Sequence, residues 1–238
     1  MQDKTPHYIT HPRYVLNHGE LTLRDTMGSE TSIVNSARIS YASMEKTGKD
    51  PAADTKLLKY LWANKHTTPF ESCVLTFYIK APIFVVRQWQ RHRMFSYNEV
   101  SARYTELPEQ TFIPVASTIG EQSIANKQQR TGSSVAEQLG KFYQEQIEAQ
   151  NDSAFACYRM LLDKGLPREL ARTILPLGTY TEFLATGNLH SWLHFLKLRL
   201  GSHAQHEIRV YAEQIQAILT GLYPNLMEVF NNECKNSN

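Results

Sequence analysis

The stretch Arg91–Tyr104, RHRMFSYNEVSARY, constrains this chain most. It places Arg91, His92, Arg93 and Arg103 within fourteen residues, with the carboxylate of Glu99, the hydroxyls of Ser96 and Ser101, the amide of Asn98 and the phenols of Tyr97 and Tyr104. The apolar run Pro82–Val86 feeds directly into it. Desolvating three arginines beside such a run is costly unless something anionic meets them. Planar guanidinium forks suit phosphate or carboxylate bidentately. The residues therefore point to an anion-binding loop, most simply for phosphates. The duller alternative is a strip of solvated arginines with Glu99 as ion-pair partner. The mixed polar types and the adjoining apolar run weigh against it.

A length of 238 residues allows one large domain or two small ones, with a sizeable core either way. With 42% hydrophobic and 20% charged residues the composition is that of an ordinary soluble globular protein. A formal net charge of +2 gives no reason to expect bulk attraction to nucleic acid or membrane. No run approaches the length of a membrane span. Met1–Thr10 carries Asp3, Lys4 and Pro6 and no apolar segment, so no secretory signal is expected. Cys73, Cys157 and Cys234 are widely spaced and odd in number, as for reduced thiols of a cytoplasmic protein.

In chain order, Asn17-His18-Gly19 predicts a hairpin within Arg13–Met27. A short helix is expected over Glu30–Ser36, and another from Asp50 as N-cap and Pro51 to about Lys65. His66–Glu71 is polar and turn-like. Cys73–Lys80 alternates as a strand, and Pro82 opens a helix through Gln90. Tyr104–Pro114 is expected to re-enter the sheet with Phe112 and Ile113 facing in, and Ala116–Gly132 to be a mobile loop or an insertion near the site. Ser134-x-x-Glu137 predicts a capping box for a long helix, bent near Asn151–Ser153 and closed by Gly165. Pro167 opens a short helix whose Arg168 and Arg172 share a face. A strand over Gly178–Ala185, an Asn188-capped helix broken at Gly201-Ser202, a helix from Ala204 to Leu222 and a short amphipathic piece from Asn225 to Phe230 complete the chain. Helices dominate, strands lack βαβ regularity, and no G-x-G-x-x-G follows a strand. The expected class is α+β without a Rossmann motif.

Two further chemistries can be weighed. His190 and His194 are four apart, with His203, His206 and Glu207 following, but no H-E-x-x-H occurs, so no metal is expected. A nucleophilic cysteine needs an electropositive, partly exposed setting. Cys73 opens an apolar strand, Cys157 lies among the helix-core residues Phe155 and Tyr158, and Cys234 is in the tail.

Arg91-His92-Arg93, seven residues and Ser101 resemble the RHR-x7-S signature of the flavin-dependent thymidylate synthases, often called ThyX. Gln88-Trp89, Asn98-Glu99 and Ser101–Tyr104 extend that likeness to RQWxRHRxxSxNExSxRY. Ser36–Tyr41, the His66–Glu71 segment, PRELARTILP from Pro167 and LR-x-x-x-HAQ-x-EI from Leu198 are similar to family segments too. The resemblance implies a single domain over residues 1–238, with a mixed or antiparallel sheet packed by long helices. It implies reductive methylation of dUMP to dTMP. The carbon comes from 5,10-methylenetetrahydrofolate and the hydride from FAD reduced by NADPH. Carried over by motif, Gln88, Arg91, Glu99, Ser101, Arg103, Arg172 and Arg199 are expected at dUMP, with Arg199 catalytic at the pyrimidine. Thr68, Arg91, His92, Arg93, Glu99, Asn188, His190 and His194 are expected at FAD. Several family members carry arginine and asparagine where this chain has His190 and His194; both histidines can still donate hydrogen bonds. Without the resemblance, Arg172 and Arg199 are ordinary helix-surface arginines and His66 an ordinary helix-end group. Homotetramers with shared sites are implied as well, with small-molecule substrates and no nucleic acid or membrane partner. A flavoprotein reductase and a nucleotide- or RNA-binding module are the rival classes.

Overall fold

The computed structural model describes residues 11–236, with side chains to Cys234; the expectation for Met1–Thr10 lies outside them. Five antiparallel strands form the main sheet in the order β1-β2-β3-β7-β4: Arg13–Val15, Gly19–Met27, Val74–Pro82, Tyr180–Asn188 and Ser96–Glu99. β1 and β2 are the expected hairpin. β3 and β7 are its long inner pair, in register from Val74 opposite Asn188 to Pro82 opposite Tyr180. Strict alternation puts Leu75, Phe77, Ile79 and Ala81 on the core face of β3, which is why a period of two was visible in the sequence.

β3 and β7 each run straight into a helix. Pro82 ends β3 and is the N-cap of α3, Ile83–Trp89. Asn188 ends β7, and its side-chain oxygen accepts from Ser191 N at the start of α6, Leu189–Arg199. With α1 (Glu30–Arg38) and α2 (Pro51–Ala63) on one side of the chain order and α7 (His206–Leu222) and α8 (Pro224–Asn236) on the other, these helices enclose one large core. Asp50 caps α2 by accepting from Ala52 N and Ala53 N. Glu233 of α8 takes Lys65, Lys197 and the Trp62 indole N–H, and the two ammonium groups hold its pKa down at about 2.

A second, small cluster of Phe155, Tyr158 and Ala171 joins α4 (Glu137–Asp163) to α5 (Arg168–Ala171). α4 closes in a Schellman motif: Gly165, at φ 87°, donates to Leu162 O, and Leu166 donates to Leu161 O. Its face bearing Leu139, Phe142, Tyr143 and Ile147 is exposed.

Four expectations are corrected. Tyr104–Pro114 is not a strand; only Thr111 bridges to Thr179, because Pro108 and Pro114 withhold ladder donors. Phe112 and Ile113 are half-buried. Ala116–Gly132 is not a structureless loop but carries a hairpin of β5 (Gly120–Gln122) and β6 (Arg130–Ser134). Side chains close it: Gln122 donates to Lys127 O and Gln129 O, and Thr131 Oγ1 accepts from Glu121 N. Ser134 belongs to β6 opposite Gly120, so it caps nothing; Ala136 is the N-cap of α4, without a side-chain bond. Asn151–Ser153 lies inside α4 without interrupting it. Cys157 is exposed rather than in the helix core.

Candidate active site

The arginine stretch leaves α3 at Trp89 and returns as edge strand β4. Trp89 anchors its start: the indole is fully buried, stacked on Phe195 at 4.7 Å and edge-on to Phe183 at 5.5 Å. Tyr97 ties the turn shut by donating its phenol O–H to Trp89 O and His92 O. Phe95 fills the space over Gly187, where a Cβ would lie 2.3 Å from its ring. The side chains of Trp89 and Phe95 thus turn inwards, and Arg91, Arg93 and Arg103 are left exposed. Arg91 and Arg93 have no carboxylate partner among the described residues, which leaves both forks open to an incoming anion.

His92 is the exception, since it is buried. Its Nε2 accepts from Arg199 Nε at 3.0 Å, and Arg199 Nη2 donates to Gln88 O at 3.0 Å. Burial first, then the Arg199 and His194 charges, lower the His92 pKa to about 4, so the ring is neutral and free to accept. Burial also lowers the Arg199 pKa, but a guanidinium remains cationic. Two of its N–H bonds are spent on fixing it, and the rest of the fork is available. Gln88 Nε2 donates to Gln205 Oε1 at 2.5 Å. The imidazole of His194, on α6, lies 6.2 Å from that of His92.

Two neighbouring patches hold other candidates. Glu99 accepts from Thr181 Oγ1 at 2.9 Å and from Gln90 Nε2 at 3.3 Å. It lines a cavity of about 140 Å³ together with Arg172. Ser101 caps its own turn by accepting Arg103 N, and Arg103 pairs loosely with Glu169 at 3.7 Å, both exposed. His190 and His194 line another cavity of about 140 Å³ with Lys65, Thr67 and Lys197. Thr68 is exposed at the start of the adjoining 3₁₀ turn, and Asn188 spends its oxygen on the α6 cap while its NH₂ remains a donor. The structure therefore joins Gln88, His92, Arg199 and His194, and separately Glu99 and Arg172; it does not bring all candidates into one pocket of one chain.

A family profile described as "Thymidylate synthase complementing protein" matches residues 22–225. The flavin-dependent thymidylate synthase of Treponema denticola is 44% identical over 222 residues, 93% of this chain and 82% of that protein. That of Thermus thermophilus is 45% identical over 214 residues, covering 88% and 74%. The chain belongs to the flavin-dependent thymidylate synthase family. Among solved structures, a UMP/dUMP methylase, PolB from Streptomyces cacaoi bound with 5-Br dUMP, superposes with a TM-score of 0.83 at 32% identity, covering 91% of this chain and 96% of that one. The α+β class and antiparallel sheet expected of a flavin-dependent thymidylate synthase are thus borne out.

Residues missed in the sequence are the supports. Thr181 and Gln90 orient Glu99, and nothing in their local pattern signals it. Gln205, which holds Gln88, was visible only as part of the HAQ segment. As for thiols, Cys73 is fully buried with its pKa raised by desolvation, and burial likewise raises that of Cys234. None of the three cysteines lines the cavities that hold the candidates. Among the described residues, no group of three His, Cys, Asp or Glu is placed to hold a metal, and no helix is long and apolar enough to cross a membrane.

Proposed function

We propose that this chain makes dTMP from dUMP by reductive methylation. The carbon donor is 5,10-methylenetetrahydrofolate and the reductant is FAD recharged by NADPH. The observation that carries the reading is Arg199, a half-buried guanidinium held by a neutral imidazole and a backbone carbonyl with the rest of its fork free. C5 of uracil is a poor nucleophile until negative charge is placed in the ring. A fixed cation beside N3 and O2 stabilises that charge without reorganising at the moment of reaction. No thiolate adduct is needed, in keeping with the raised thiol pKa values of Cys73 and Cys234.

The remaining roles follow from donor chemistry. Arg91, Arg103 and Arg172 with Ser101 suit the dUMP phosphate, and Gln88 lies beside Arg199. Glu99, already held by Thr181 and Gln90, orients an arginine or a ribose hydroxyl. The exposed Arg91 and Arg93, with His92, Thr68, Asn188, His190 and His194, form a donor-rich set that fits the pyrophosphate and ring edges of FAD; Glu99 adds an acceptor. When bound, FAD supplies the hydride that turns the transferred methylene into a methyl group. His92 must stay neutral to accept from Arg199, and its burial secures this.

The chain acts as one domain, supported by its single large core, and works in the cytoplasm on small molecules, without nucleic-acid or membrane partners. It assembles as a homotetramer with shared sites. The separate patches of candidate residues and the uncovered Leu139–Ile147 face of α4 support the assembly. An omission assay tests the function: dTMP should form only when dUMP, the folate, FAD and NADPH are all present, with tetrahydrofolate released. Release of dihydrofolate instead would refute the reading.

Two outcomes follow for single residues. Among the described residues Ser101 has no base partner, so Ser101→Ala should raise the KM for dUMP about tenfold, the size of one charge-assisted hydrogen bond, while kcat stays measurable. Loss of all turnover with dUMP still bound would contradict this. His92 titrates at about 4 when folded against 6.5 ordinarily, so the unfolded chain binds more protons between those values. Its stability contribution is full above the upper value and is lost as pH falls towards the lower one. The thermal midpoint should therefore drop more steeply from pH 7 to about 4.5 in the parent than in His92→Gln, whose amide oxygen can still accept from Arg199. Parallel slopes would remove His92 as the cause.

A further inference from the structure

The β5–β6 hairpin roofs an open cleft of about 600 Å³ against the start of α7. It is latched there at two points. Gln129 Nε2 donates to Ser202 O at 2.7 Å, and Arg130 Nη1 meets Glu207 Oε1 at 2.9 Å. Glu207 is almost completely buried, so Arg130 is fixed in place by the one carboxylate it neutralises. Arg209 also lines the cleft; its contact with Glu213 is long, at 3.9 Å. His206, Gln128, Thr131 and Gln205 add donors and acceptors. Gln205 reaches out of the cleft to Gln88, whose carbonyl holds Arg199. The cleft is thus the next compartment to the catalytic cation.

We propose that this cleft binds the glutamyl tail of the folate co-substrate, with its carboxylates on Arg130 and Arg209. The inference rests on the folate-dependent reading given above. A volume of this size holds a substantial group, not a lone phosphate. Apart from the His206 imidazole, no ring among the described residues lines it on which a nucleoside base could stack. A glutamyl tail is made of carboxylates and amides only. Arginine forks match the first bidentately, and glutamine and threonine side chains match the second. The tail would enter past Gln205, leaving the reactive end of the folate on the Arg199 side.

Calorimetric titration of the FAD-loaded protein with p-aminobenzoyl-triglutamate and p-aminobenzoyl-monoglutamate tests this. It needs no turnover, so its failure is distinct from a failure to make dTMP. The triglutamate should bind about tenfold or more tighter, and Arg209→Gln should abolish the difference without moving the thermal midpoint. Arg130→Lys, which keeps a cation on Glu207 but removes the fork, should reduce it. Equal affinity of the two tails in the parent, or full discrimination in Arg209→Gln, would overturn the proposal. Binding of adenosine 2′,5′-bisphosphate that Arg209→Gln abolishes would also overturn it, by assigning the cleft to the phosphate end of NADPH.

Discussion

Arg199→Ala is expected to lower kcat for dTMP formation by about 10²–10³-fold, with a much smaller change in dUMP affinity. The reason is where the guanidinium sits and how it is held. It is half-buried, so its field is less screened than at the surface, and both His92 Nε2 and Gln88 O fix its plane. Its attraction for the pyrimidine grows as negative charge develops there, so it acts mainly on the transition state. Arg199→Lys keeps the charge but loses the fork, and cannot satisfy His92, Gln88 and a ligand in the same plane; it should recover only a small part of the rate. Rapid-quench measurement of dTMP at saturating substrates separates the effects. A loss confined to KM would show that Arg199 merely binds.

Trp89→Ala is expected to cost about 3–5 kcal/mol of stability, among the largest single effects available in this chain. Trp89 is fully buried at the junction of α3, β7, α6 and α7, against Phe183, Phe195 and Tyr211. Its removal opens a cavity that rigid sheet and helix backbones cannot close. Its backbone carbonyl also receives the Tyr97 phenol and His92 N, so a shift there reaches the arginine stretch directly. A lowering of the thermal midpoint by roughly 10 °C is the expected scale for a chain of this size. Trp89→Phe retains much of the stacking and should lose less than half as much. An unchanged midpoint in Trp89→Ala would show that the aromatic cluster does not carry the core.

What is legible in the sequence follows the range of the interactions involved. Asp50 before Pro51, Asn188 before α6 and the turn residues at Asn17–Gly19 act on backbone groups within three positions, so local pattern sufficed. The RHR stretch was legible because its chemistry and its motif are both contiguous. The His92–Arg199 bond spans 107 positions, beyond the reach of any local pattern. The resemblance assigned His92 to flavin; the structure adds its hold on Arg199. Local pattern misled where tertiary pairing overrode it. Ser134 had the spacing of a capping box, but Gly120 claims its backbone for the hairpin. That hairpin has almost no β-propensity in GEQ and RTGSS, and is held instead by Gln122, Thr131, Gln129 and Arg130 side chains. Cys157 looked internal because Phe155 and Tyr158 flank it, but on a helix those neighbours face elsewhere.

The most direct test of the central claim follows the flavin through one anaerobic cycle. The FAD-loaded protein is bleached with one equivalent of NADPH, then mixed with dUMP and 5,10-methylenetetrahydrofolate. If the flavin supplies the hydride, its absorbance returns only when both substrates are present, with about one dTMP formed per flavin reoxidised. A flavin that stays bleached while dTMP accumulates would contradict the account.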